Sequence, residues 1–262
     1  MKSMKQIVGH DNIAMIVLDT LRLDVARSAM DEGMTPNLSR LLPNGWEHRH
    51  TSATFTFPAH QAFFAGFLPT KVTPGPHPRH FAIKFAGSET IDDGTCVFDT
   101  PNIVAGLANS GYHTMCIGGV GFFNLETPMG RILPSYFKER HWHKDLGVTC
   151  KESTRHQVEL IAKQLAANSG KKVFLYLNIS ALHQPNCMYV PGEKQDSVFT
   201  QKAALAYVDQ QIPPLLEAMR QHGPWFVMIF SDHGTCYGED GYTGHRVAHS
   251  VVLNVPYGEF VL

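Results

Sequence analysis

The sequence predicts an α/β fold with a mostly parallel sheet lying between helical layers. Two observations carry that expectation: short, wholly apolar runs of strand length recur along the chain, and stretches of helical periodicity alternate with them. Two of the runs also end on acidic residues, at the place where open α/β sheets hold their ligands.

Residues 13–18 form the first run, ending on Asp19. An apolar run without polar alternation suits a strand covered on both faces. Residues 21–30 read as a helix, and Thr35-Pro36-Asn37 offers an N-cap with proline at N1 for a short second one. Residues 52–60 lead into a small-residue helix over 61–66 with Pro58 near its first turn, which puts Thr56 at a helix N-terminus. Four prolines between positions 69 and 80 rule out regular structure there and suggest a surface excursion able to flank a site. Thr100-Pro101-Asn102 repeats the capping device before a helix over 103–109; Gly111 stops that helix and residues 112–117 resume a strand. Val158, Ile161, Ala162 and Leu165 recur at helical spacing, Gly170 breaks the pattern, and 173–177 is another buried strand. Leu205, Val208, Ile212, Leu215, Leu216 and Met219 make a longer stripe, expected to kink at Pro213-Pro214. Residues 225–230 are a strand ending on Ser231-Asp232-His233, and 247–262 reads as strand material. With no internal repeat or linker, residues 1–262 are expected to form one domain.

Twenty-two Lys and Arg against 23 acidic residues remove any electrostatic case for nucleic acid or an anionic membrane surface. No run approaches the roughly 18 apolar residues of a membrane span. The five cysteines are odd in number and lack a CxxC pair, so they read as reduced thiols, and the chain is expected to be soluble and cytoplasmic. Fifteen histidines direct attention to metal binding and acid/base chemistry.

Asp19, Asp232 and His233 each stand just past a predicted buried strand. Asp and His are the oxygen and nitrogen ligands that a borderline cation such as Zn²⁺ takes, at about 2.0–2.2 Å. A single Asp in such a place more often caps a helix or turn, but three residues converging from two strands favour a metal site. At a helix N-terminus, Thr56 would have an anion such as a phosphoryl group held beside its hydroxyl. A threonine is a weak nucleophile until a bound metal lowers its pKa, and the local sequence alone favours a simple cap.

Residues 16–24, Thr56-Phe-Pro-Ala-His60 with Gly66 ten residues after the threonine, and Ser231-Asp-His-Gly234 resemble, in order, the three motifs of the alkaline phosphatase superfamily. The sulfatase-like and nucleotide pyrophosphatase-like branches are nearest, and the chain looks like a member of a small bacterial family of sulfatase-like metalloenzymes. The resemblance implies a three-layer sandwich with helices on both faces of the sheet. It implies Thr56 as a metal-bound nucleophile and Asp19, Asp232 and His233 as the remaining ligands of one Zn²⁺ or Mn²⁺. Residues 172–185 and Tyr242-Thr-Gly-His-Arg246 resemble further superfamily segments, which implies that His183 and His245 contact the phosphoryl group, protonate the leaving group or hold a second metal. His60 and Arg246 are candidate phosphoryl contacts, since a guanidinium fork matches phosphate geometry; a packed histidine and a solvated arginine are equally open. The family also implies a small-molecule ester as partner and a pathway that includes radical SAM enzymes.

Formylglycine sulfatases have Cys or Ser where Thr56 stands, so the sequence disfavours a sulfatase and suits a phospho-threonine intermediate. Ala59 replaces the asparagine usual in the pyrophosphatase-like enzymes, which weakens the case for nucleotide diesters. The region 178–180 lacks the carboxylate of a second metal site. The expected activity is therefore metal-dependent hydrolysis of phosphodiesters, phosphomonoesters or phosphonates. Alternatives are a phosphotransferase acting on an organic acceptor, an isomerase resembling the phosphoglycerate mutases, and a non-catalytic metal-binding pathway protein. His141, His143 and residues 47–50 are expected in exposed loops, Asp24 in a salt bridge with Arg22 or beside the site, Glu239 and Asp240 in a turn, and the phenylalanines at 55, 57, 63 and 64 in the core.

Overall fold

The computed structural model describes residues 3–66, 70–75, 77–84 and 92–262. Pro69 and Pro76 of the proline-rich segment lie outside them. The described part of that segment has no helix; Thr70 bridges His50, and His80 Nε2 bonds the Tyr257 hydroxyl at 2.9 Å and the Glu259 carboxylate at 2.7 Å.

Seven strands form one sheet: β1 (Asn12–Leu18), β2 (Glu47–His50), β3 (His113–Ile117), β4 (Glu139–His141), β5 (Val173–Ile179), β6 (Trp225–Phe230) and β7 (Asn254–Val261), in the order β2-β7-β6-β1-β5-β3-β4. The five strands from β6 to β4 are parallel, and β7 runs antiparallel to both β6 and β2. Every residue of β1, β5 and β6 is buried, as their unbroken apolar runs require.

Helices cover both faces. Ala14, Ile16 and Leu18 pack with α1 (Leu23–Asp31), α2 (Pro36–Leu41), α5 (Ser153–Ala167) and α6 (Val198–His222). Ile13, Met15 and Val17 face the other way, against α3 (Thr56–Phe64) and α4 (Ile103–Asn109). The result is the three-layer arrangement expected from the sequence.

Several boundaries differ, each for a local reason. The cap of α4 is Asn102, whose side chain accepts from Ala105 N at 2.8 Å, so Thr100 and Pro101 lie outside the helix. Thr35 makes no side-chain cap for α2; Asp209, from α6, accepts from Leu38 N at 2.7 Å and Asn37 N at 3.2 Å instead. The stripe of α6 continues as one helix through Pro213 and Pro214. Pro213 cannot donate to the carbonyl of Asp209, and Asn37 Nδ2 does so at 3.1 Å. Residues 250–253, expected as strand, form the short helix α7 (Ser250–Leu253) before β7 begins. Residues 47–50 and His141, expected in loops, are edge strands; their charged, His-rich faces suit an edge. Asp209→Ala leaves two backbone donors and the Asn37 amide without their carboxylate. It is expected to lower stability by about 2 kcal/mol or more, measured by urea denaturation.

Candidate active site

The site forms at the C-terminal ends of β1 and β6. Asp19 directly follows β1, while Asp232 and His233 follow β6 and Ser231; all three are wholly buried. One ligand atom from each lies within 4.8 Å of the others, and among the described residues this is the single His/Cys/Asp/Glu group so placed. His233 Nδ1 donates to the Gly234 carbonyl at 2.9 Å, which fixes the tautomer and leaves Nε2 bare as a ligand atom. Thr56 is the first residue of α3 and only 2% exposed, with Oγ1 3.3 Å from that Nε2.

The carboxylates are closely held. Asp19 Oδ1 accepts from the Thr20 hydroxyl at 3.0 Å and Oδ2 from Asn178 Nδ2 at 2.9 Å. Asp232 Oδ1 accepts from Thr20 N at 3.1 Å and His233 N at 3.0 Å, whereas the buried Oδ2 has no hydrogen-bond donor. Burial raises the pKa of Asp232 to about 7. Burial and the charge of Asp232 raise that of Asp19 to about 6. Two buried carboxylates facing a neutral imidazole and a hydroxyl, one oxygen lacking a donor, are a donor set that fits a divalent cation such as Zn²⁺ or Mn²⁺.

Three imidazoles run in a row from this centre: His245 lies 4.7 Å from His233 and 5.5 Å from His183, ring to ring. Burial and its two neighbours push His245 down to about 3, and its Nδ1 is buried without a partner. His183 Nδ1 donates to the Gln184 carbonyl at 2.6 Å, leaving Nε2 as the position for an exchangeable proton. Neither belongs to the ligand group described above, and residues 178–180 include no carboxylate.

Arg246 is exposed, with its N–H bonded to the Thr54 carbonyl at 2.8 Å and its guanidinium 4.9 Å from the Phe55 ring centre. It stands beside the segment that leads into Thr56. His60 differs from its expected role. It is wholly buried, boxed by the rings of Phe63, Phe64, Phe123 and Tyr176, and its Nδ1 donates to the Thr56 carbonyl at 2.7 Å. Burial depresses its pKa to about 3. Helical spacing explains this, because positions 56, 60 and 63 share one face, and that face packs on the sheet. The phenylalanines divide: Phe63 and Phe64 are core, but Phe55 and Phe57 are half-buried and meet Phe122 at 6.2 and 5.6 Å.

Sequence reasoning missed Thr20, Asn178, Gln201 and Thr51. The Thr51 hydroxyl donates to the Asp232 carbonyl at 2.5 Å, and Gln201 Nε2 to that of Thr20 at 2.9 Å. Asn178 was findable, being a polar residue at the end of an apolar run, the cue that marks Asp19. Arg22 meets Asp24 at 2.6 and 2.9 Å and also Glu239, so Glu239 does more than shape a turn: it ties the segment after His233 to the one after Asp19.

The family model described as Sulfatase matches residues 11–252. The chain belongs to the sulfatase family. No curated protein matches its sequence. Among solved structures, this sulfatase-family chain is similar to the soluble domain of lipooligosaccharide phosphoethanolamine transferase A from Neisseria meningitidis, with 14% identity and a TM-score of 0.65 over 96% of this chain and 77% of that one. The C-terminal periplasmic domain of EcEptC from Escherichia coli, in complex with zinc, gives 13%, 0.57, 95% and 73%. A protein in the alkaline phosphatase superfamily from Vibrio parahaemolyticus gives 16%, 0.54, 95% and 60%. At such identities the likeness concerns the fold, which is that of the alkaline phosphatase superfamily. Among the described residues, no helix of this sulfatase-family chain is long and apolar enough to cross a membrane.

Proposed function

We propose that the chain is a metal-dependent enzyme acting on phosphate-type esters, with Thr56 as nucleophile and a phospho-threonine as intermediate. The observation that carries this reading is the Thr56 hydroxyl, buried at the start of α3 and 3.3 Å from Nε2 of His233, the histidine grouped with Asp19 and Asp232. Asp19, Asp232, His233 and Thr56 would hold one Zn²⁺ or Mn²⁺, which when bound lowers the hydroxyl pKa and offsets charge on a phosphoryl oxygen.

Thr56 Oγ1, its proton given up to solvent, forms a bond to phosphorus as the bond to the leaving oxygen breaks. The leaving oxygen takes a proton from Nε2 of the His183 imidazolium; His245, held neutral, stands beside it. The His183 imidazole then takes a proton from water or an acceptor hydroxyl, whose oxygen attacks phosphorus and releases Oγ1. Arg246 offers its guanidinium to the phosphoryl oxygens, while His60 keeps the Thr56 main chain in place.

Water as acceptor makes the chain a hydrolase and an alcohol makes it a transferase. The transferase reading draws support from its fold neighbours among phosphoethanolamine transferases. Asn178, with both side-chain groups engaged, speaks against an isomerase that needs two metals. All five cysteines are free thiols, the state a reducing compartment maintains, and a cytoplasmic setting is proposed on that basis. Rapid quenching of the zinc-loaded protein with an activated aryl phosphate is expected to leave one phosphoryl group on the peptide containing Thr56, read by mass spectrometry. Turnover with no such adduct under conditions where the second step is rate-limiting would refute the covalent route.

A further inference from the structure

We propose that Thr20 is the positioning residue of the metal centre, a strained link that sets how Asp19 and Asp232 face each other. The inference deepens the reading that these carboxylates hold a cation and rests on it.

Thr20 is wholly buried and has φ of 66°. That is the left-handed region, which a β-branched residue rarely adopts. Glycine or asparagine is the usual solution to such a turn, so retention of a threonine calls for a compensating interaction. Thr20 makes two, one to each carboxylate: its N–H donates to Asp232 Oδ1 and its hydroxyl to Asp19 Oδ1. The carboxylates belong to adjacent parallel strands, and no other residue in the described hydrogen-bond network donates to both. The unusual φ turns the N–H of the residue after Asp19 across to β6 while the hydroxyl turns back to Asp19. Gln201 holds the arrangement from behind by donating to the Thr20 carbonyl at 2.9 Å.

The consequence is preorganisation. Two buried carboxylates repel each other and tend to protonate or turn apart, whereas a donor to each keeps one oxygen of each fixed. The Thr20 side chain therefore serves the site at some cost to the backbone, a trade that a purely structural residue would not show.

Zinc affinity and metal-free melting temperature, measured on the full chain for the parent and for T20S, T20A and T20G, test this. T20S keeps the hydroxyl and is expected to bind Zn²⁺ within about threefold of the parent, while T20A, differing from T20S by the hydroxyl alone, binds about tenfold more weakly. T20G loses at least about tenfold in affinity, yet its metal-free form melts within about 2 °C of the parent, because relief at φ 66° offsets the lost contact. The T20S and T20A pair decides the matter even where T20G folds poorly. Equal zinc affinity in all four proteins overturns the proposal, as does a T20S protein no tighter than T20A. A parent that binds no zinc overturns the metal reading itself, a result seen before any variant is made.

Discussion

Thr56→Ala is expected to reduce turnover of an activated phosphate ester by about 10⁴-fold or more while the protein still takes up zinc. The size follows from what is removed. Without Oγ1 the proposed nucleophile is gone, whereas Asp19, Asp232 and His233, the residues that could hold the metal, remain. The variant loses one hydroxyl from a buried position at the start of α3, so its fold should persist. Thr56→Ser keeps the nucleophile and should stay within about tenfold of the parent. Steady-state rates with metal content measured on the same samples check both; undiminished activity in the alanine variant would exclude Thr56 as the nucleophile.

Asp232→Asn is expected to lower zinc affinity by at least about a hundredfold and to make the metal-free protein more stable. The carboxamide oxygen can keep the bonds from Thr20 N and His233 N, and an amide replaces the oxygen that lacks a donor. The sign with pH follows from the raised folded-state values of Asp19, about 6, and Asp232, about 7. A carboxyl whose folded pKa lies above its unfolded one contributes stability that is fully present below about pH 4 and is lost as pH rises through the folded value. The metal-free parent should therefore be less stable at pH 7.5 than at 5.5, with Asp232 and Asp19 both contributing to the loss. The variant should show a flatter profile, and added zinc should restore the parent. Urea denaturation of both proteins across that range is the measurement; parallel profiles would show that Asp232 ionises freely.

The two variants depend on features of different legibility. Asp19, Asp232 and His233 could be read because charged residues interrupt apolar runs at strand ends, a pattern contained within a few residues. Thr20 could not, since nothing local distinguishes a threonine that adopts φ 66° from one in an ordinary turn. For His60 a phosphoryl contact and a packed histidine are equally open from the motif, and the helical period from position 56, which turns it inward, decides for the second. The edge strands β2 and β4 escaped because their character is set by a neighbour. Residues 47–50 become a strand only by pairing with β7, some two hundred positions later. Asp209 as the cap of α2 is the same kind of case, a local signal at Thr35 answered by a distant side chain.

The sheet order has a consequence for biogenesis. Asp19 follows β1 and Asp232 follows β6, and Thr20 N reaches Asp232 across 212 positions of sequence. A nascent chain cannot gather Asp19, Asp232 and His233 until β6 has slotted in beside β1, so a metal could be captured there only after β6 has been made. On the proposed reading, a bound cation would clasp together two segments 212 positions apart. At a free concentration a hundred times its dissociation constant, it adds about 2.7 kcal/mol to the stability of the whole domain. Loss of metal in a starved cell would then be felt as a loss of protein as well as of activity, through faster degradation of the unclasped form.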